Sequence, residues 1–209
     1  MITYPNQTIS VDLTPLSERN IRLIAFAAPK QSGKTTAASY LEMEFGAQIF
    51  PFAEPVKAAI VSMLGGRVPT IYTQAKKEEP LPGRTFSWRQ ACEWLGNDAR
   101  RALGEDVWID SMRIKIQETA GLIVIDDLRY ANEAAMVREL GGLVVGIRRP
   151  FSWRDNAPDI SEIEQCAHEV VKHHADLIIH NSQSLLLDNA FVDDVLALGK
   201  ACFGGGIHE

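Results

Sequence analysis

A chain of 209 residues, 46% apolar and 23% charged, is long enough to bury a real core and reads as one globular domain with room for inserted lobes. Its net charge of −6 argues against a surface that holds nucleic acid by counterion release, and no apolar run reaches membrane-spanning length. Cys92, Cys166 and Cys202 are widely spaced without a metal-ligand pattern, and the N-terminus lacks the basic-then-apolar pattern of a signal peptide, so a reduced, cytoplasmic protein is expected.

Residues 1–20 are polar and interrupted by Pro5 and Pro15, the pattern of an N-terminal extension to a domain spanning 21–209. The apolar run Ile21–Ala27 predicts a buried strand; a loop Ala28–Gly33 follows, and from Lys34 to about Phe45 the pattern turns helical. A second strand is predicted near Ala47–Phe50 and a helix over 53–64, with Pro55 tolerable in its first turn. Gly65-Gly66 ends that stretch, and 65–85 reads as an irregular excursion. Helical spacing resumes over Trp88–Leu103 and Val107–Thr119. Gly121 introduces a strand, Leu122–Ile125, ending in Asp126-Asp127, and a helix over Asn132–Leu140 stops at Gly141-Gly142. Leu143–Ile147 makes another strand, 149–160 a polar loop, 161–174 a helix, Asp176–Ile179 the last strand and 184–201 a closing helix. Strands alternating with helices imply an α/β, three-layer sandwich around a mainly parallel sheet of five strands.

The loop Ala28-Pro-Lys-Gln-Ser-Gly33-Lys34-Thr35 matches the phosphate-binding P-loop except that Ala28 stands where the first glycine is usual. It lies between an apolar strand and a helix, the context the mechanism demands. Loop amides around Ser32, Gly33 and Thr36 would curl around phosphate oxygens, aided by the positive end of the helix. Lys34 would reach the β- and γ-phosphates of ATP, the Thr35 hydroxyl would ligate Mg²⁺, and Lys30 is either a solvated charge or an extra phosphate contact. An acid at the end of the strand Ile123-Val-Ile-Asp126-Asp127 is placed to support the same ion. Asp126 is paired with Thr35 as the candidate metal set, although periodicity does not decide between it and Asp127.

Phosphoryl transfer needs positioning and positive charge more than it needs a general base. Single arginines on helices are usually solvated, but Arg148-Arg149 follow a predicted core strand on the ligand side and open an excursion that carries Arg154, the outline of a lid. Of Trp88, Trp94 and Trp108, core packing is the default for two, and one is free to stack on a base. His168, His173 and His174 form no zinc-protease pattern and read as surface or lid residues.

Several ordered blocks now give the chain a resemblance to the bacteriophage deoxynucleoside monophosphate kinases, a branch of the P-loop nucleoside and nucleotide kinases. After Gly33-Lys34-Thr35 come Phe52-Ala-Glu-Pro-Val-Lys57, the stretch Arg89 to Arg100 and Asp106-Val-Trp108. Then follow Asp127-Leu-Arg129-Tyr-Ala-Asn132-Glu133, Arg148-Arg149-Pro150 and Asp176-Leu-Ile-Ile-His-Asn181. The resemblance implies a P-loop kinase fold with an acceptor-binding lobe at about 52–118 and a lid at about 149–168. It implies Mg²⁺-dependent transfer of the γ-phosphoryl of ATP to a deoxynucleoside 5′-monophosphate, a step of deoxynucleotide biosynthesis in the host cytoplasm if the chain is phage-encoded. On that pattern Phe52, Lys57, Arg89, Arg100 and Trp108 belong to the acceptor lobe, with Arg100 facing the acceptor phosphate. Asp127, Arg129 and Glu133 sit near acceptor and metal, and Arg148 and Arg149 pack on adenine or clamp phosphates. Catalytic work falls to Lys34, Asp127, Arg129 and Arg148.

One position departs from the pattern: Glu93 stands where the family has glutamine, a plausible reader of the base. A carboxylate only accepts, so it favours a base edge rich in N–H donors, guanine being one example. The rival readings are a kinase resembling dephospho-coenzyme A kinase, with Asp127 taking a hydroxyl proton, and a kinase acting on bases or ends in DNA. A nucleotide-dependent switch is a third, but the Asn-Lys-x-Asp motif of guanine-specific switches is absent. No membrane partner or stable nucleic-acid complex is expected, and the oligomeric state, a homodimer included, is left open.

Overall fold

A computed structural model describes residues 1–3, 11–65, 78–81, 83–149, 162–182 and 190–204. Its strands are β1 (Ile2–Thr3), β2 (Leu23–Ala27), β3 (Gln48–Ile49), β4 (Ile123–Leu128), β5 (Leu143–Arg148) and β6 (Leu177–His180). They form one sheet in the order β1-β6-β5-β2-β4-β3. Every residue of β2 is buried, and all of β5 is buried except Arg148. Such runs do not alternate because both faces of a parallel sheet are covered. Strand β2 lies at the centre, with Ile24 opposite Val124 of β4 on one side and Leu143 of β5 on the other.

The sheet differs from expectation in one strand. The five predicted strands are parallel, and a sixth, β1, adds antiparallel to β6 with Ile2 opposite Ile179. Two residues are too short to show a period, so residues 1–20 read as polar extension although Ile2, Thr3 and Leu16 are buried. A second difference touches the site. Strand β4 continues through Leu128, so Asp126 and Asp127 lie within it rather than after it, and a register shift brings Leu128 opposite Ala27. The phosphate loop therefore leaves β2 beside the acidic end of β4.

Helices α1 (Thr14–Ser17), α2 (Lys34–Phe45), α3 (Glu54–Met63), α4 (Trp88–Leu103), α5 (Val107–Glu118), α6 (Ala131–Glu139), α7 (Glu162–His173) and α8 (Ala190–Phe203) complete the described elements. Helices α2 and α8 pack together on one face of the sheet, and α6 and α7 on the other. On the first face Ala37, Ala38 and Leu41 of α2 meet Val195, Leu198 and Phe203 of α8 over Ile24, Phe26 and Val145. On the second, α7 approaches β5 so closely that a Cβ at Gly146 would stand 2.8 Å from Val171. Among the described residues no helix is long and apolar enough to cross a membrane.

The chain forms two compact units, Met1–Pro51 with Thr119–Glu209, and Phe52–Glu118. The second has its own small core of Val56, Ile60, Leu81 and Trp88, with Phe86, Leu95 and Trp108 packed against it. A capping box starts α4: Ser87 Oγ accepts from the Gln90 amide at 3.2 Å, and Gln90 Oε1 accepts from the Ser87 amide at 2.9 Å. The irregular excursion and the lid fall largely outside the described residues, which omit 66–77 and 150–161, Arg154 included.

Candidate active site: a phosphate loop beside an acidic strand end

Two left-handed residues, Gln31 (φ 60°) and Gly33 (φ 105°), shape the loop between β2 and α2. Only glycine suits position 33. Its backbone is one L side chains avoid, and an added Cβ would lie 2.8 Å from Asn181 Nδ2 and 3.2 Å from Phe191. Gly33 is also the N-cap of α2 and has no side chain to satisfy the helix's first amides. The first intrahelical bond runs from Ala37 N–H to the Gly33 carbonyl at 2.9 Å. The amides of Lys34, Thr35 and Thr36 precede it and face outward for an external acceptor.

The loop's carbonyls are engaged from outside. Lys34 Nζ donates to those of Ala28 at 2.5 Å and Pro29 at 2.9 Å, Arg149 donates to Gln31, and Asn181 Nδ2 donates to Ser32 at 2.9 Å. Each peptide is planar and trans, so turning a carbonyl one way sends the next amide the other way. The consequence is visible at Lys30, whose amide donates to both carboxylate oxygens of Glu164 at 3.2 Å. The loop already presents an amide to an anionic group.

Lys34 is the electrostatic centre. Burial pushes its ammonium down to about 8, and the Arg129 guanidinium pushes the same way, against the raising influence of Glu164, Asp127 and Asp126. Next to it, Thr35 Oγ1 donates to Asp126 Oδ2 at 3.1 Å, which pairs a helix N-terminus with the end of β4. Of the two adjacent acids, Asp126 is the one joined to the P-loop threonine. Glu133 is 2% exposed and accepts from the amides of Arg129 at 2.8 Å and Tyr130 at 3.1 Å. It holds the backbone that carries Arg129 and caps α6. Arg148 ends β5, and its carbonyl accepts from the Asn181 amide at 2.9 Å.

The first unit thus holds Lys30, Ser32, Gly33, Lys34, Thr35, Thr36, Asp126, Asp127, Arg129, Glu133, Arg148 and Arg149. The other predicted residues belong to the second unit, where Phe52 is buried. There Arg89, Glu93, Gly96 and Arg100 recur at helical spacing along one face of α4. Arg89 pairs with Glu78, and Arg100 donates to the Glu105 carbonyl at 2.9 Å. Trp88 is core and Trp108 donates to the Gly96 carbonyl at 3.1 Å, while Trp94 is 54% exposed and tilted against Phe86. Three site residues escaped the sequence reading: Glu164, Asn181 and Phe191. Each meets the loop from more than 100 positions away, and no local pattern marks such a partner.

A loop whose carbonyls are tied back after the central strand of a mainly parallel sheet, with its lysine and threonine beside an acidic strand end, has the form of a phosphate-binding P-loop. No protein-family model matches the chain. A protein of Acanthamoeba polyphaga mimivirus, provisionally named deoxynucleotide monophosphate kinase, is 33% identical over 158 residues, which cover 68% of this chain and 81% of that protein. The chain belongs to the deoxynucleotide monophosphate kinase family. Similar solved structures include a dephospho-CoA kinase from Campylobacter jejuni, with TM-score 0.45 and 16% identity over 88% of this chain and 98% of that one. Shikimate kinase from Aquifex aeolicus gives TM-score 0.40 and 18% identity over 88% and 99%.

Proposed function

We propose that the protein transfers the γ-phosphoryl group of ATP to a deoxynucleoside 5′-monophosphate, giving the diphosphate, with Mg²⁺ as the accompanying ion. The observation that carries the reading is the loop from Ala28 to Thr35, whose carbonyls are tied back while a buried ammonium and the helix's first amides stand beside them. Lys34 and Arg129 are like charges close enough to disfavour each other, an arrangement that a polyphosphate would neutralise.

In this reading Lys34 leaves the carbonyls of Ala28 and Pro29 for the β- and γ-phosphates, and the amides from Ser32 to Thr36 hold the phosphate oxygens. The Thr35–Asp126 pair supplies two hard oxygen donors, and among the described residues no cluster of three or more His, Cys, Asp or Glu side chains forms a metal cage. That donor set fits Mg²⁺, which keeps waters and phosphate oxygens as most of its ligands. The bound ion would neutralise charge on the transferring group. Arg129, Arg148 and Arg149 add positive charge, and Asp127 and Glu133 orient groups near the acceptor. Lys57, Arg89, Glu93, Arg100 and Trp108 of the second unit take the acceptor itself, with Arg100 on its phosphate. Family membership supports the acceptor class, because the viral relative's name specifies a deoxynucleotide monophosphate.

A coupled nucleotide-kinase assay with ATP and Mg²⁺ across the common ribo- and deoxyribonucleoside monophosphates tests the proposal. Diphosphate formed from at least one deoxynucleotide supports it. No diphosphate from any deoxynucleoside monophosphate overturns it. The Glu93 side chain makes no hydrogen bond or ion pair among the described residues, which leaves its carboxylate available to a base edge. The Glu93→Gln variant should shift the ratio of rates among acceptors; unchanged ratios remove Glu93 from base reading.

A further inference from the structure

We infer that Asn181 is a positioning residue for the nucleotide's phosphates, acting through the peptide that joins Ser32 to Gly33. The inference rests on the ATP-dependent reading above and assigns part of its loop's shape to a residue far along the chain. Asn181 follows β6, and its own amide donates to the Arg148 carbonyl at 2.9 Å, continuing the ladder in which Arg148 pairs with His180. The sheet therefore fixes where the Asn181 side chain starts. From there Nδ2 donates to the Ser32 carbonyl at 2.9 Å. Ser32 is 1% exposed, so water is a poor replacement for that donor.

The peptide plane converts this bond into a direction. With the Ser32 carbonyl drawn towards Asn181, the Gly33 N–H points the opposite way, to the side on which a phosphate would be held. The same geometry already operates three peptides earlier. There Lys34 draws the Pro29 carbonyl, and the Lys30 amide on the opposite side meets the Glu164 carboxylate. Asn181 and Phe191 also fill the space a Cβ at residue 33 would need, so the donor and the bare glycine interlock. An aspartate here would set a carboxylate against a carbonyl, and a leucine would supply no donor at all.

The test is calorimetric titration of MgATP and MgADP into the full-length wild type, Asn181→Ala and Asn181→Ser, alongside steady-state kinetics and thermal melts without nucleotide. Asn181→Ala should weaken both nucleotides by about tenfold, the size of one hydrogen bond's contribution, because the Gly33 amide loses its fixed direction. Asn181→Ser, with a shorter hydroxyl donor, should fall between. The KM of the best acceptor should stay within about twofold in both variants, a split that a general loss of structure does not produce. Undiminished nucleotide affinity in the variants, or an acceptor KM that rises in step with that of ATP, overturns the inference. So does a melt that collapses in both variants, since the residue would then serve the fold alone. A wild type that binds neither nucleotide overturns the ATP-dependent reading instead, which keeps the two failures apart.

Discussion

Binding of the phosphate donor should take up a proton, and the amount follows from Lys34. In the nucleotide-free protein burial and Arg129 hold its ammonium at about 8, against 10.5 for a free lysine. A triphosphate alongside restores the ordinary range, because an opposite charge favours the protonated form. At pH 8 about half of the free protein lacks the proton that the complex requires, so about 0.5 proton is taken up per nucleotide bound. At pH 7 the figure falls to about 0.1, and at pH 9 it rises to about 0.9. The sign for folding is the reverse of an ordinary ion pair. Between pH 8 and 10.5 the unfolded chain holds more protons at this position, so its contribution to nucleotide-free stability improves as pH rises. Isothermal titration in buffers of differing ionisation enthalpy reads the uptake directly, with Lys34→Met as the control that should abolish it. A proton count that is flat from pH 7 to 9, or unchanged in that control, would refute the assignment of a desolvated Lys34 to the phosphates.

Other perturbations probe the remaining parts. Gly33→Ala must place a Cβ 2.8 Å from Asn181 Nδ2 in a left-handed backbone, a strain of roughly 2–3 kcal/mol. A melting temperature lower by about 4–10 °C and loss of ATP binding are expected, and a melt equal to wild type would contradict the loop geometry. Glu133→Ala removes a buried acceptor from two amides and should cost roughly 2 kcal/mol in chemical denaturation, with Glu133→Gln losing less; equal midpoints would mean the cap contributes nothing. Arg100→Ala should raise the acceptor KM by about ten- to a hundredfold while sparing that of ATP. An effect confined to the ATP KM would count against its placement on the acceptor phosphate.

The parts of the site that lie next to one another in the chain were legible. Gly33, Lys34 and Thr35 stand between a fully apolar strand and a helix, and that juxtaposition alone indicated a phosphate loop. Asp126 and Asp127 were visible as acids at a strand's end, but which one met Thr35 depended on a register shift between β2 and β4 that periodicity does not encode. The left-handed turn at Gln31 carries no glycine to announce it. Glu133 was legible only through its motif, and nothing local marked the burial or the two amide bonds by which it holds the backbone that bears Arg129. Strand β1 was hidden by its length, and Asn181 by its distance in sequence from the loop it braces.

The division of the chain has a consequence for how it is made. The sheet of the first unit needs β2 from the early part of the chain and β4, β5 and β6 from the late part, so the apolar strand before the phosphate loop emerges from the ribosome with both its neighbours still unmade. Helices α3, α4 and α5 close their contacts over a short local stretch in between. Local contacts form sooner than distant ones, so the core of the second unit can close before β4 and β5 arrive to flank the strand that precedes the phosphate loop.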